Sequence, residues 1–140
     1  MAIFLNNKVG VKINSVDLSD HVTSATLNQA FDELEVTAMG DSSHKFVKGL
    51  ESATLTISFL NDQAAASVLA TLQSAYGTTV GFKLLQDSGS AVSATNKLFS
   101  GDILINNLTP INGATGDIGT QDITFTVNSA VTVADSGTFE

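Results

Sequence analysis

The sequence predicts a mainly β fold: a β-sandwich or partly closed barrel of two packed antiparallel sheets, with one α-helix against it. Three observations lead there. Two-residue alternation recurs in short segments along the chain, as where Ala53, Leu55, Ile57 and Phe59 alternate with Thr54, Thr56 and Ser58. A single stretch, about 62–76, places apolar residues at three- and four-residue spacings. Clusters of Gly, Asn, Asp and Ser separate these segments. A chain of 140 residues suffices for one core and is too short for two, and no repeat or linker is visible, so 1–140 reads as one domain.

The elements follow in order. Val9, Val11 and Ile13 alternate with Lys8, Gly10, Lys12 and Asn14 in a first strand, and the turn-forming residues 17–21 break it. A second strand covers about 22–31, with Ala25, Leu27 and Phe31 on one face and Thr26, Asn28 and Ala30 on the other. Leu34, Val36 and Ala38 alternate with Glu33, Glu35 and Thr37, which keeps the chain extended. The period is then lost in an arm over about 37–50 and returns in the 53–59 strand. In the helix, Asn61 or Asp62 is the expected N-cap and Gly77 the stop, while Ala65, Val68, Leu69, Leu72, Ala75 and Tyr76 form the apolar stripe. Strands at 80–86, 98–107 and 120–127 complete the domain. Loops at 87–96 and 109–119 separate them, the second marked by Pro110, Asn112-Gly113 and Gly116-Asp117, and a tail spans 129–140.

Charge limits the function. Only 14% of residues are charged, against roughly 25% in ordinary soluble domains. Six lysines and no arginine face fourteen acids, a net charge of −8. Strand backs made of Thr, Ser and Asn suit a surface that copies of the same chain cover, because charge is costly to desolvate there. The same balance argues against nucleic-acid binding, which needs Lys and Arg on phosphates. There is no cysteine, so disulfides and thiol chemistry are excluded. The run 2–5 has no basic residue before it and is not read as a signal peptide, and no apolar run approaches the ~20 residues that cross a bilayer.

Residues that might carry chemistry are few. Gly40-Asp41-Ser42 matches an esterase nucleophile motif, but no histidine follows His44 to complete a relay, and nothing positions an oxyanion hole. Asp17, Asp20 and His21 lack the alternating carboxylates of a calcium loop and read as a turn. Asp32, Glu33 and Glu35 read as a solvated or lumen-facing strand edge, since glycosidase carboxylates need aromatic platforms and the chain has no Trp and one Tyr. The glycines at 113, 116 and 119 precede a strand and so do not cradle phosphate. No enzyme activity, cofactor or metal is expected.

The arm is the most informative feature. Met39, His44, Phe46, Val47 and Leu50 carry too much apolar surface for a solvated loop, and Gly40 and Gly49 supply pivots. The plainer reading is that His44 and Phe46 fold back under the arm as a satellite cluster. The sharper one is that Met39, Gly40, Asp41, His44, Phe46, Val47, Gly49 and Leu50 form a contact with a neighbouring copy. The order Glu35-Val36-Thr37-Ala38-Met39-Gly40-Asp41, then His44-Lys45-Phe46-Val47-Lys48-Gly49-Leu50, then Leu55-Thr56-Ile57, resembles the tail tube proteins of long-tailed bacteriophages. The likeness extends more loosely from Val9 to Val127.

That resemblance implies hexameric rings stacked into a hollow tube around a tape-measure protein, joined to tail-end proteins and later conducting DNA. It implies a virion component made in the host cytoplasm, with no membrane partner and no sequence-specific DNA contact. Elementary geometry agrees. A domain of this length has a radius of gyration of about 14 Å, hence a body about 37 Å across. Six such bodies in a ring enclose a hole as wide as one body, whereas four leave about 15 Å, too narrow for a duplex. Asp32, Glu33 and Glu35 are candidate lumen-facing acids. The rival expectation is a monomeric β-sandwich decoration or adhesion module of a virion, and the inner tube of a contractile injection system is a close relative of the first reading.

Overall fold

Alternating apolar residues leave each strand one face to bury, and the structure, a computed structural model describing residues 8–65 and 67–139, buries those faces against one another. The expectations for residues 2–5, for Ala66 within the helix and for Glu140 lie outside the described residues. Strand β1 (Gly10–Ile13) turns through Asn14 and Ser15 into β2 (Val16–Asp17). Both turn residues have positive φ, as a two-residue hairpin turn of type I′ requires. A single 3-10 turn (Ser19–His21) leads to β3 (Val22–Glu35), which pairs along its length with β4 (Phe46–Leu60). Helix α1 (Val68–Ala75) follows, then β5 (Thr79–Leu85), β6 (Leu98–Leu104), β7 (Thr120–Val127) and β8 (Thr132–Ala134).

All pairings are antiparallel, in the order β2-β1-β5-β6-β7-β4-β3, with β8 on β6. The join between β6 and β7 is narrow: Ile103 pairs with Val127 and Leu104 with Thr126. At this join the sheet divides into two halves that face each other, one of β2, β1, β5, β6 and β8, the other of β7, β4 and β3. Val11, Ile13, Phe82 and Ile103 of the first half meet Leu55, Ile57, Phe59, Ile123 and Phe125 of the second in one cluster. Val68, Leu72 and Ala75 of α1 close it. This is the predicted sandwich-like fold. Each fully buried Leu, Ile or Phe here contributes about 1.5–3 kcal/mol relative to exposure.

Three expectations need correction. The helix begins at Val68, not near 62. The Asp62 carboxylate accepts the Ala64 N–H and the Asp62 carbonyl accepts the Leu69 N–H, so Asp62 organises a turn ahead of the helix. The helix ends as expected before Gly77, whose N–H donates to the Ile105 carbonyl. The irregular arm is shorter than 37–50: only residues 36–45 connect β3 to β4, and Phe46 to Leu50 belong to β4. The tail at 129–140 contains a strand. β8 pairs with β6, and Phe139 packs with Leu85 and Leu98 in a second, smaller cluster that a three-residue strand gives no periodicity to announce.

Candidate assembly surface

The hairpin of β3 and β4 continues past the core, and that extension carries the site. Between the pairs Phe31–Glu51 and Glu33–Lys48, β3 has one residue, Asp32, and β4 has two, Gly49 and Leu50, so β4 bulges at 49–50. Gly49 is needed there: a Cβ would lie 2.9 Å from the Asp32 Cβ and 3.0 Å from the Asp32 carbonyl oxygen. Beyond the bulge Glu33 pairs with Lys48, Leu34 with Val47 and Glu35 with Phe46.

Residues 36–45 form an ordered tip. The Val36 N–H donates to the Lys45 carbonyl, and the Lys45 N–H to the Thr37 hydroxyl. Asp41 accepts the Ala38 N–H and forms an ion pair with Lys45 at 2.9 Å, while Gly40 turns the chain at φ +91°. His44 presents Nδ1 to Glu35 at 2.6 Å, and the Thr37 hydroxyl donates to the same carboxylate oxygen. The Glu35 carboxyl is held below the usual carboxylate range, first by the His44 hydrogen bond and then by Thr37. Asp41 is lowered too, first by the Ala38 N–H and then by Lys45. The imidazole of His44 is thus committed to Glu35, the geometry of a brace.

The apolar side chains of the arm do not fold back. Met39 is fully exposed and Leu50 is 81% exposed, and Phe31, Leu34, Val36, Phe46 and Val47 are each about half exposed. Phe46 lies near His44, with ring centroids 6.4 Å apart, and Lys48 stands 4.6 Å over the Phe31 ring. These contacts leave about half of Phe31 and of Phe46 in water, so the satellite-cluster reading is not what forms. Phe31 and Leu34 belong to this surface as well, although the sequence showed them only as strand residues. An uncovered apolar surface of this extent on a weakly charged chain is a candidate interaction site.

The three acids assigned to one edge do not share a face. Alternation along β3 puts Phe31, Glu33 and Glu35 on the side of Phe46 and Lys48, and Asp32 and Leu34 on the other. Asp32 therefore continues the outer face of β3, β4 and β7. Three cross-strand rows make up that face: Asn28, Thr54 and Thr126; Thr26, Thr56 and Thr124; Ser24, Ser58 and Asp122. The Thr56 and Thr124 hydroxyls lie 3.0 Å apart. No lysine stands in these rows, which offer hydroxyl and amide groups and the Asp122 carboxylate, with Asp32 beyond them on the same face.

Away from the arm, Asp17 accepts the Ser19 N–H and hydroxyl, the turn chemistry expected of it, and His21 pairs with Asp62 at 2.9 Å. Among the described residues no group of three or more His, Cys, Asp or Glu is placed to hold a metal ion, and no helix is long and apolar enough to cross a membrane. A second exposed apolar feature, missed in the sequence because Pro110 and its glycines read only as turns, is the loop between β6 and β7. Ile111 is 90% and Ile118 71% exposed.

The sequence matches no protein-family model and no curated protein. Solved structures do share its fold. One is a chain in the virion of a native gene transfer agent (GTA) particle, with a TM-score of 0.77 at 9% identity, covering 94% of this chain and 99% of that one. Another is a chain in the tail of an empty GTA particle, obtained by helical refinement with C6 symmetry, with a TM-score of 0.65 at 13% identity, covering 81% and 82%. Both likenesses extend over most of the domain, and both are to chains of GTA particles.

Proposed function

We propose that this chain is a virion structural protein, the subunit of a tail tube, whose hexameric rings stack into a hollow cylinder that conducts DNA. The observation that carries this reading is the arm: a braced hairpin that leaves seven large apolar side chains uncovered in the isolated subunit. A stable monomer would lose solubility by keeping such a surface, whereas a polymer covers it with a neighbour. The fold shared with a chain from a particle tail refined in C6 symmetry supports six-fold rings. The resemblance around Gly40-Asp41 and Gly49-Leu50 supports the same family.

In this arrangement the outer face of β3, β4 and β7 lines the channel. Its rows of Thr, Ser and Asn carry no cation, so a phosphate backbone slides past without displacing counterions at fixed points. The free edge of β3 meets the sheet of the adjacent subunit, which also covers an edge that would otherwise template aggregation. The arm residues Met39, Gly40, Asp41, His44, Phe46, Val47, Gly49 and Leu50 lie against neighbouring copies. A tape-measure protein occupies the lumen before DNA does, and tail-end proteins close the stack. The protein is made in the host cytoplasm and resides in the tail of the particle.

Electron microscopy of the purified chain tests this. Rings or cylinders are expected, in the pure protein or once a tail-end complex seeds them. A chain that stays a monomer under both conditions removes the tube reading and favours a monomeric decoration or adhesion module.

A further inference from the structure

We infer that Asn112 is a site of self-modification: the backbone nitrogen of Gly113 displaces its side-chain amide, and the acid left behind releases one anchor of the β6–β7 loop. This inference goes beyond the tube reading and does not rest on it.

Sequence context is the first argument. Asn112 alone among the asparagines precedes a glycine. Ring closure brings the nitrogen of the next residue onto the side-chain carbon of asparagine, an approach that a side chain on that next residue hinders and glycine permits. Gly113 has room for the motion, since a Cβ built on it would meet nothing within 4 Å.

Exposure is the second. Residues 110–118 are exposed without a break and belong to no helix or strand. Among the described residues no backbone carbonyl accepts the Gly113 N–H, so no such bond must break before that nitrogen gives up its proton. The other asparagines differ. Asn96 is buried, and its side chain is bonded to Asp87 and Ala91. The Asn61 amide is shared by the Thr109 and Thr120 carbonyls. Asn14 and Asn128 are exposed but precede serine.

The step balances with water alone. The Gly113 nitrogen loses its proton to hydroxide and bonds to the Asn112 Cγ, the Cγ–Nδ2 bond breaks, and ammonia leaves a five-membered imide. Water opening the ring at Cγ yields aspartate. Opening at the Asn112 backbone carbonyl carbon instead routes the chain through the side chain, as isoaspartate.

The consequence lies in the bond that is lost. The Asn112 amide donates to the Thr120 carbonyl at 3.1 Å. An ionised carboxylate has no proton to donate, so two acceptors would face each other there. Thr109 keeps its bonds to Asn61 and Gln121, which confines the release to the part of the loop beyond it. A new negative charge joins Asp117 in that part, between the exposed Ile111 and Ile118. Because ammonia escapes, the change is irreversible, and the loop records the age of the chain.

Mass spectrometry of the purified chain, held folded at mildly alkaline pH, tests the inference. A gain of about 1 Da is expected, from NH2 replaced by OH, and fragmentation should place it at Asn112. Its rate there should exceed that at Asn14 or Asn128 by about tenfold or more. Gly113→Ala should fold normally, because its methyl enters open space, and should slow the reaction about tenfold. Asn112→Asp, which installs one product directly, should speed amide exchange across residues 111–119 and leave β7 protected. Modification of Asn112 no faster than of Asn14 and Asn128, or an unchanged rate in Gly113→Ala, overturns the site. Unaltered exchange in Asn112→Asp overturns the release of the loop. None of these measurements depends on rings or tubes, so the tube reading stands or falls separately.

Discussion

The Nδ1 atom of His44 and the carboxylate of Glu35, nine residues apart in sequence, meet at 2.6 Å and tie the last turn of the arm to the end of β3. The acid in this pair, like Asp41 across the tip, has its proton affinity lowered by the bonds it accepts. A carboxyl with a depressed folded-state pKa stabilises the ordered form above the ordinary carboxylate range. That stabilisation is lost as pH falls through the range towards the lowered value. The tip is thus expected to stay ordered near neutrality and to loosen in acid while the core persists. Amide exchange at Val36 and Lys45, corrected for intrinsic rate and compared between about pH 6 and about pH 3, measures it. Glu35→Gln should flatten the dependence, and an unchanged pH profile in that variant would refute the brace.

Substituting Met39→Asp and Phe46→Asp together should leave the subunit folded and abolish rings and tubes. Neither side chain is in the core, so the melting temperature should move little, as for other surface changes. Sedimentation and electron microscopy read the assembly, and normal tubes from this variant would remove the arm from the interface.

Gly49→Ala should act on the arm without touching the body. The added methyl meets Asp32 backbone and Cβ at 3.0 and 2.9 Å, where neither strand can move without opening the hairpin. Overpacking of this kind costs about 1–3 kcal/mol. Amide protection beyond the bulge is expected to fall, with assembly reduced and thermal unfolding of the core unchanged. Intact protection at Leu34 and Val47 would show that the bulge absorbs a side chain.

The strand alternation made the core legible, since Ala53, Leu55, Ile57 and Phe59, and Ile123, Phe125 and Val127, are all buried as their period requires. The sandwich followed from it. Less legible was whatever depends on a partner distant in the chain. The start of α1 was misread because Asp62 caps a turn as readily as a helix, and only its bonds to Ala64 and Leu69 show which. The hydroxyl rows needed register, which pairs Thr26 with Thr56 and Thr56 with Thr124, whereas each strand alone shows only that Thr points away from the core. Separation of Asp32 from Glu33 and Glu35 is implicit in strand alternation, yet treating the three as one edge obscured it.

Phe139 offers a stability test of the tail. It is 8% exposed and packs on Leu85 and Leu98, near the chain terminus and far in sequence from both. Phe139→Ala should destabilise by about 3 kcal/mol, the low end for a phenylalanine in a small outer cluster. For a domain of this size that lowers the melting temperature by about 10 °C. A shift of a degree or two by calorimetry would mean that the tail contributes nothing to the fold.

Opposite faces of β3 allow the proposed channel wall to be tested. Asp32 continues the cation-free rows of β3, β4 and β7, and Glu33 lies on the other side, beside Lys48. In a tube each substitution is repeated in every subunit, so a single Lys lines the whole channel with rings of positive charge if its face points inward. Each such cation adds a phosphate contact whose counterions must be exchanged as DNA advances. Asp32→Lys is therefore expected to slow DNA release from assembled particles, with the delay shrinking as salt is raised. Glu33→Lys, with the same change in net charge, should release DNA at the parental rate. The rate of DNA ejection from particles built with each variant decides between the faces, and a delay confined to Glu33→Lys would place the opposite face of the hairpin against the DNA.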